Sequence, residues 1–261
     1  SNSSLFKNER GVLKVCLLLW GKPKRKLNRK RINMGRVLMK VAWLIGVLIA
    51  LYLLLWPVPI APVSWQSPAN NGFEGEFAEN TRLSDLTLID LGDDYGPEDF
   101  ALNHEGTLAT SSHSGAILLK KKGERTFSTW ANTGGRPLGI EYDSKGNLLI
   151  ADARLGLLKI DTAGVLSVLV DSVNSTPVVY ADDVDIAENG KVYFTDATTK
   201  FSAKAFGGTL NASLLEILEH RGNGRLIEYP PSTGKSKVIM DGLVFANGVA
   251  VSHDQASVLV N

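Results

Sequence analysis

The chain has 261 residues, with 28 basic against 27 acidic side chains, a net charge of +1, 44% hydrophobic residues and a single cysteine. Near-neutral charge argues against a nucleic-acid binder or an acidic tail, and this many patterned apolar residues argue against low-complexity disorder. One cysteine excludes a disulfide scaffold and a cysteine-based zinc site.

Residues 1–36 read as a basic cytoplasmic segment, because Lys22 to Arg31 puts seven positive charges into ten residues with no acid among them. Met34 suits a start to the apolar run after it, which would make residues 1–33 an upstream extension. Val37 to Trp56 carries only Lys40 as a charge, and twenty such residues match a hydrocarbon core of about 30 Å. Trp43, Tyr52 and Trp56 suit interfacial belts, and the positive-inside rule sends everything after Trp56 across the membrane. A cleaved signal peptide would need a shorter apolar core and a small-x-small site, which Trp56 to Pro62 does not offer. A buried soluble helix would show a polar face, and none lies between Val41 and Leu55. The sequence thus predicts a single-pass signal anchor over 37–56, with the remainder of the chain in the periplasm, a lumen or the cell exterior.

Residues 57–84, with Pro57, Pro59, Pro62, Pro68 and the turn-prone Asn70-Asn71-Gly72, read as a tether holding the next domain clear of the bilayer. Trp65 and Phe73 are its candidates for docking on that domain.

From about Asp85 a repeat sets the fold. An alternating strand, a polar turn ending in Gly, and a second strand recur at Glu98 to Thr110, Leu138 to Ile150 and Asp182 to Phe194, with a fourth copy opening at Asn247. In each, the first residue stands eight positions before the turn position: Gly106, Gly146, Gly190 and Gln255. Tight hairpins favour glycine there. Third and fourth strands come next, such as 156–161 and 165–170. Four strands in 40 to 45 residues is blade spacing, so residues 85–261 are predicted to be all-β, about four blades of a β-propeller. The pattern is expected to run on past Asn261, and Leu86 to Leu91 is expected to be a strand completing the last blade. First residues 182 and 247 lie farther apart than the others, placing an insertion at about 201–221 with helical spacing in Leu210 to Glu219.

The innermost strands of a propeller begin near its axis, so the aligned first residues Glu98, Leu138, Asp182 and Asn247 converge. Three of them offer oxygen. Two carboxylates on an axis repel unless a cation lies between them, and oxygen donors from separate elements suit Ca²⁺. Glu98, Asp182 and Asn247 are therefore the predicted metal ligands. Alternatively each is a turn cap. His104, His113, His220 and His253 read as surface residues, and Ser111-Ser112-His113-Ser114-Gly115 lacks the nucleophile-elbow pattern.

Gly96-Pro97-Glu98-Asp99, Gly135-Arg136-Pro137-Leu138-Gly139, Ala181-Asp182-Asp183-Val184, Val192-Tyr193-Phe194-Thr195-Asp196 and Gly242-Leu243-Val244-Phe245-Ala246-Asn247-Gly248-Val249 resemble the strictosidine synthase-like proteins. These belong to a wider group of six-bladed propellers with paraoxonases, gluconolactonases and the adipocyte plasma membrane-associated protein, so the resemblance implies that the four blades are part of a six-bladed β-propeller. The resemblance covers about 85–261. It implies a central Ca²⁺ held by Glu98, Asp182 and Asn247, with Asp182 where the family usually has Asn and Asp183 as the second member of that pair. Paraoxonases carry a His, thought to serve as base, where this chain has Leu138. The strictosidine synthase glutamate would lie beyond Asn261, so no catalytic residue is assigned. Two readings remain: a membrane-anchored, calcium-dependent hydrolase of small esters or lactones, and a tethered binding module with a structural calcium. A strictosidine synthase-type lyase stays open beside them. A small-molecule substrate and the membrane are the expected partners, with no nucleic acid.

Overall fold

The computed structural model describes residues 33–70 and 72–261. The basic block at 22–31 and Cys16 lie outside the described residues. The chain divides into two units, Ser1–Pro57 and Val58–Asn261.

Among the described residues of the first unit a helix, α1 (Met34–Leu55), runs for 22 residues and buries none of them. At 1.5 Å per residue it is about 33 Å long, enough to cross a hydrocarbon core. It stops before Trp56, the residue that Pro57 disfavours in a helical conformation.

The second unit is built of small antiparallel sheets in chain order. The first is β1 (Phe100–Leu102), β2 (Leu108–Ser111), β3 (Ala116–Lys120) and β4 (Ser128–Asn132). The next is β5 (Pro137–Tyr142), β6 (Leu148–Asp152), β7 (Gly156–Ile160) and β8 (Leu166–Val170). A two-stranded hairpin, β9 (Ser172–Val173) and β10 (Thr176–Pro177), leads to β11 (Ala181–Ile186), β12 (Val192–Asp196), β13 (Gly224–Tyr229) and β14 (Lys237–Leu243). A final pair, β15 (Val249–Val251) and β16 (Val258–Val260), repeats the opening hairpin of the other sheets. These are three four-stranded propeller blades and the inner hairpin of a fourth. The repeat register holds because Gly106, Gly146 and Gly190 take φ of 80°, 82° and 79°. Gln255 adopts the same left-handed turn at φ 59° despite its Cβ, a conformation that costs a non-glycine residue about 1 kcal/mol.

Blades pack face to face through apolar side chains. Ala101, Ala109 and Ile117 of the first meet Ile140, Leu148, Ile150 and Leu158 of the second. Leu149, Ala151 and Leu157 of the second meet Val184, Val192, Phe194 and Ile227 of the third. β5 lies beside β1 and β11, and β11 lies beside β15, so the four inner strands stand side by side.

Two expectations change. Residues 86–91 alternate like a strand, yet they pair with no strand among the described residues, and Leu86 and Leu88 are exposed. Alternation supplies a face, whereas a strand also needs a partner edge. The segment read as a tether is docked over part of its length, through Trp65 of its two candidate aromatics and through backbone bonds that the sequence did not announce. The Val63 N–H donates to the Glu219 carbonyl at 2.8 Å, the Ala61 N–H to Glu219 Oε2 at 2.8 Å, and Trp65 stacks on His220 with ring centres 4.4 Å apart. Phe73 stays exposed. Between β12 and β13 lies α2 (Thr209–Glu219), closed by His220 in the left-handed conformation at φ 52°.

Candidate functional site

The inner strand of each blade has an edge hydrogen-bonded to no other strand, so its N–H groups need other acceptors. Aspartates from the preceding blade supply them. Asp99 accepts the Phe100 N–H through Oδ1 at 2.7 Å and the Ile140 N–H of the next blade through Oδ2 at 2.9 Å. Asp183 does the same with Val184 at 2.8 Å and Val249 at 2.8 Å. Asp185 repeats it with Ile186 and Val251, both at 2.6 Å. Each carboxylate thus bridges its own strand and its neighbour.

A second staple fixes the first residues themselves. The Ser111 hydroxyl donates to the Leu138 carbonyl at 2.7 Å, and the Thr195 hydroxyl to the Asn247 carbonyl at 2.6 Å. Both donors stand thirteen positions after the first residue of their own repeat, 98 to 111 and 182 to 195. Thr195 Oγ1 also accepts the Asp183 N–H at 3.0 Å, so one hydroxyl joins the Asp182-Asp183 pair to Asn247. The second repeat has Gly139 and Ala151 at the corresponding places and makes neither staple. There the backbone of β11 comes close instead: a Cβ on Gly139 would lie 2.6 Å from Asp183 Cα and nearer still to its carboxylate.

Asp152 and Asp196, fourteen positions after Leu138 and Asp182, hold the chain entering each inner strand. Asp152 accepts the Arg136 N–H and Asp196 the Tyr180 N–H, each at 3.0 Å. Arg136 and Tyr180 are both buried.

At the centre, Asp182 is 5% exposed and its Oδ2 has no hydrogen-bond partner. Burial, then the charges of Glu98 and Asp183, push its carboxyl up to about 7 against the opposing pull of Arg136. Arg136 Nη2 lies 3.6 Å from Glu98 Oε2, and its Nη1 donates to the Pro137 carbonyl at 3.1 Å. Glu98 and Asn247 are exposed. Leu138 is buried beside Tyr180 and Phe201. Of the four first residues, Glu98 and Asp182 therefore share an electrostatic neighbourhood, Asn247 is tied to Asp182 through Asp183 and Thr195, and Leu138 packs into an apolar core cluster.

Arg136 is the site residue that sequence reasoning passed over. Its signal was position, two residues ahead of Leu138 in Gly-Arg-Pro-Leu-Gly. The cation it brings is as close to Glu98 as a weak ion pair allows, so part of the carboxylate repulsion is already offset by protein. Among the described residues, no group of three or more His, Cys, Asp and Glu side chains is arranged to hold a metal. The donors nonetheless fit a calcium ion in kind: two carboxylates, one with a buried unpartnered oxygen, and an amide.

The other candidates are accounted for structurally. Asp94 Oδ2 takes hydrogen bonds from Ser112 at 2.9 Å and Ser114 at 2.6 Å, while His113 stacks on Tyr95 at 5.0 Å. The Ser111, Ser112 and Ser114 hydroxyls thus donate to a backbone carbonyl or to Asp94, and none to a histidine. A further carboxylate, Glu141, occupies the place in the second repeat that Asp185 holds in the third, and its Oε1 accepts only its neighbour's N–H, from Tyr142 at 3.1 Å. Burial, then Asp185, Asp99 and Asp183, push it up to about 7.

A strictosidine synthase family model matches residues 182–261, and a strictosidine synthase-like N-terminal model matches residues 75–119. Over these two stretches the chain is similar to the strictosidine synthase-like family. Strictosidine synthase-like protein 7 of Arabidopsis thaliana is 35% identical over 190 residues, covering 70% of this chain and 48% of the relative. The adipocyte plasma membrane-associated protein of Bos taurus is 30% identical over 247 residues, covering 88% of this chain and 58% of the relative. The chain thus spans about half the length of the curated relatives it matches. Among solved structures, a gluconolactonase from Xanthomonas campestris superposes with a TM-score of 0.50 at 20% identity, over 63% of this chain and 53% of that one. That likeness carries the propeller fold.

Proposed function

We propose that this chain is part of a membrane-anchored, calcium-dependent hydrolase of small esters or lactones, with α1 as a single-pass anchor, a six-bladed propeller on the extracytoplasmic side, and Glu98, Asp182 and Asn247 as metal ligands. The observation that carries it is Asp182, a buried carboxylate with an unpartnered oxygen opposite the charge of Glu98. Leaving an ionised group so placed is costly, and a divalent cation removes the cost. A calcium ion held there supplies Lewis acidity toward a carbonyl oxygen.

The chain's own groups do the rest. Thr195 sets the Asn247 backbone, Asp152 and Asp196 set Arg136 and Tyr180, and Leu138, Phe201 and Phe245 pack as the apolar support behind these groups. Phe201, Ala203 and Ala212, between β12 and β13, pack into the same cluster. The gluconolactonase neighbour is named for a lactone, in keeping with the proposed substrate class.

One observation favours a second reading. Leu138 offers no proton acceptor, and Arg136 already pairs with Glu98, so an ion here can serve only to hold the blades, making the protein a tethered binding module. A strictosidine synthase-type lyase is the third possibility. The experiment is a panel of aryl esters and lactones assayed with the full-length protein in Ca²⁺ and in chelator, beside calcium titration calorimetry. Calcium-dependent turnover supports the hydrolase. Calcium binding without turnover of any panel member makes the ion structural. No binding at all removes the metal reading.

A further inference from the structure

α2 is built inside out for a helix facing water. Its inner face carries Ala212, Glu216 and Glu219, all fully buried, while Leu210, Leu214, Ile217 and Leu218 are 70%, 48%, 52% and 62% exposed. At 100° per residue the four apolar side chains fall within an arc of about 100°, opposite the two carboxylates. The buried acids are satisfied at some expense. Asn223 Nδ2 donates to Glu216 at 3.0 Å and to Glu219 at 3.3 Å, Lys200 pairs with Glu219, and the Ala61 N–H completes the set. Each leucine left in water forgoes about 1.5–3 kcal/mol of burial. A helix arranged this way makes physical sense when its outer face has an apolar neighbour.

The chain itself indicates which neighbour. The C-terminal end of α2 is where the segment following α1 docks: Val63 and Ala61 donate to Glu219, Arg221 Nη2 donates to the Ala61 carbonyl at 3.1 Å, and Trp65 stacks on His220. Ala61 is six residues beyond Leu55, the last residue of α1, so covalent reach alone keeps these two within roughly 22 Å. Val58, Val63 and Trp65 are exposed beside it and add to the apolar surface, and an indole suits the headgroup layer.

We propose that the outer row of α2, Leu210, Leu214, Ile217 and Leu218, rests in the interfacial layer of the bilayer crossed by α1, so that the face carrying α2 is held against lipid. This rests on α1 being a membrane anchor. Shallow insertion of an amphipathic helix is the usual way such a row is covered.

The test uses the full-length protein in a cysteine-free background, reconstituted in phosphatidylcholine vesicles. An environment-sensitive fluorophore is attached through Leu214→Cys or, for comparison, Lys121→Cys in the exposed β3–β4 turn. Flotation with the vesicles after carbonate washing reads the anchor separately. Expected are flotation of both proteins, quenching of the Leu214 probe by lipids carrying a headgroup-proximal nitroxide, and several-fold weaker iodide quenching there than at Lys121. Equal iodide quenching at both sites in floating protein would overturn the proposal while leaving the anchor intact. So would a Leu214 probe shielded from iodide but unaffected by the nitroxide lipid, since protein, either a second copy or more of this chain, would then be the cover. Failure to float would overturn the anchor and this proposal together.

Discussion

The hydroxyl of Thr195 donates to the Asn247 carbonyl at 2.6 Å while accepting the N–H of Asp183 at 3.0 Å. One fully buried side chain thereby couples the end of β12 to the first residues of two inner strands. Thr195→Val keeps the shape and removes both hydrogen bonds, leaving a donor and an acceptor without partners. The expected loss is about 1–3 kcal/mol in denaturant unfolding, whereas Thr195→Ser should stay close to wild type. Equal losses in both variants would place the effect in packing.

Gly139 faces the backbone of Asp183 across the junction of the second and third blades. Gly139→Ala must drive the two strands apart, because its Cβ would lie 2.6 Å from Asp183 Cα. A destabilisation of about 1–3 kcal/mol or more is expected, read as a lower denaturation midpoint. A neutral result would mean that the inner strands lie farther apart than this contact implies.

Calcium should stabilise the full-length protein by mass action, by about 2.7 kcal/mol at a hundred times its dissociation constant. Asp182→Asn removes one of the two opposed charges. In chelator this variant should melt above wild type, and on adding calcium its melting temperature should rise by less. Identical calcium responses in the two proteins would remove Asp182 from the metal site.

Glu141 gives a pH signature of its own. Its carboxyl is pushed up to about 7 in the fold, first by burial and then by Asp185, Asp99 and Asp183, against about 4.3 when unfolded. The native state therefore holds the proton more tightly, so this group's stabilisation is complete below about pH 4 and is lost as pH rises through about 7. Glu141→Gln should raise the melting temperature at pH 8 relative to wild type, with the difference shrinking toward pH 5. A pH-independent difference would show that the gain comes from packing.

The propeller was legible because its requirements are local. Gly106, Gly146 and Gly190 mark turns that need positive φ, and the strands on either side alternate. Residues 86–91 alternate too, but pairing is a property of two segments, and one segment cannot announce its partner. The same limit applies to the site. Glu98, Asp182 and Asn247 stood out because repeat alignment compares equivalent positions. Arg136 did not, because its importance comes from a carboxylate one blade away. The docking of residues 61–65 on α2 joins segments some 160 positions apart in sequence, a distance over which no periodicity speaks.

The bridging aspartates also make certain amides into reporters. The N–H groups of Ile140, Val249 and Val251 are bound by side chains of the neighbouring blade rather than by strands of their own. Fraying within a blade leaves those bonds in place, whereas movement of one blade away from the next breaks them. Their hydrogen exchange therefore measures blade separation itself, distinguishing a ring that breathes at its seams from one whose individual sheets unravel.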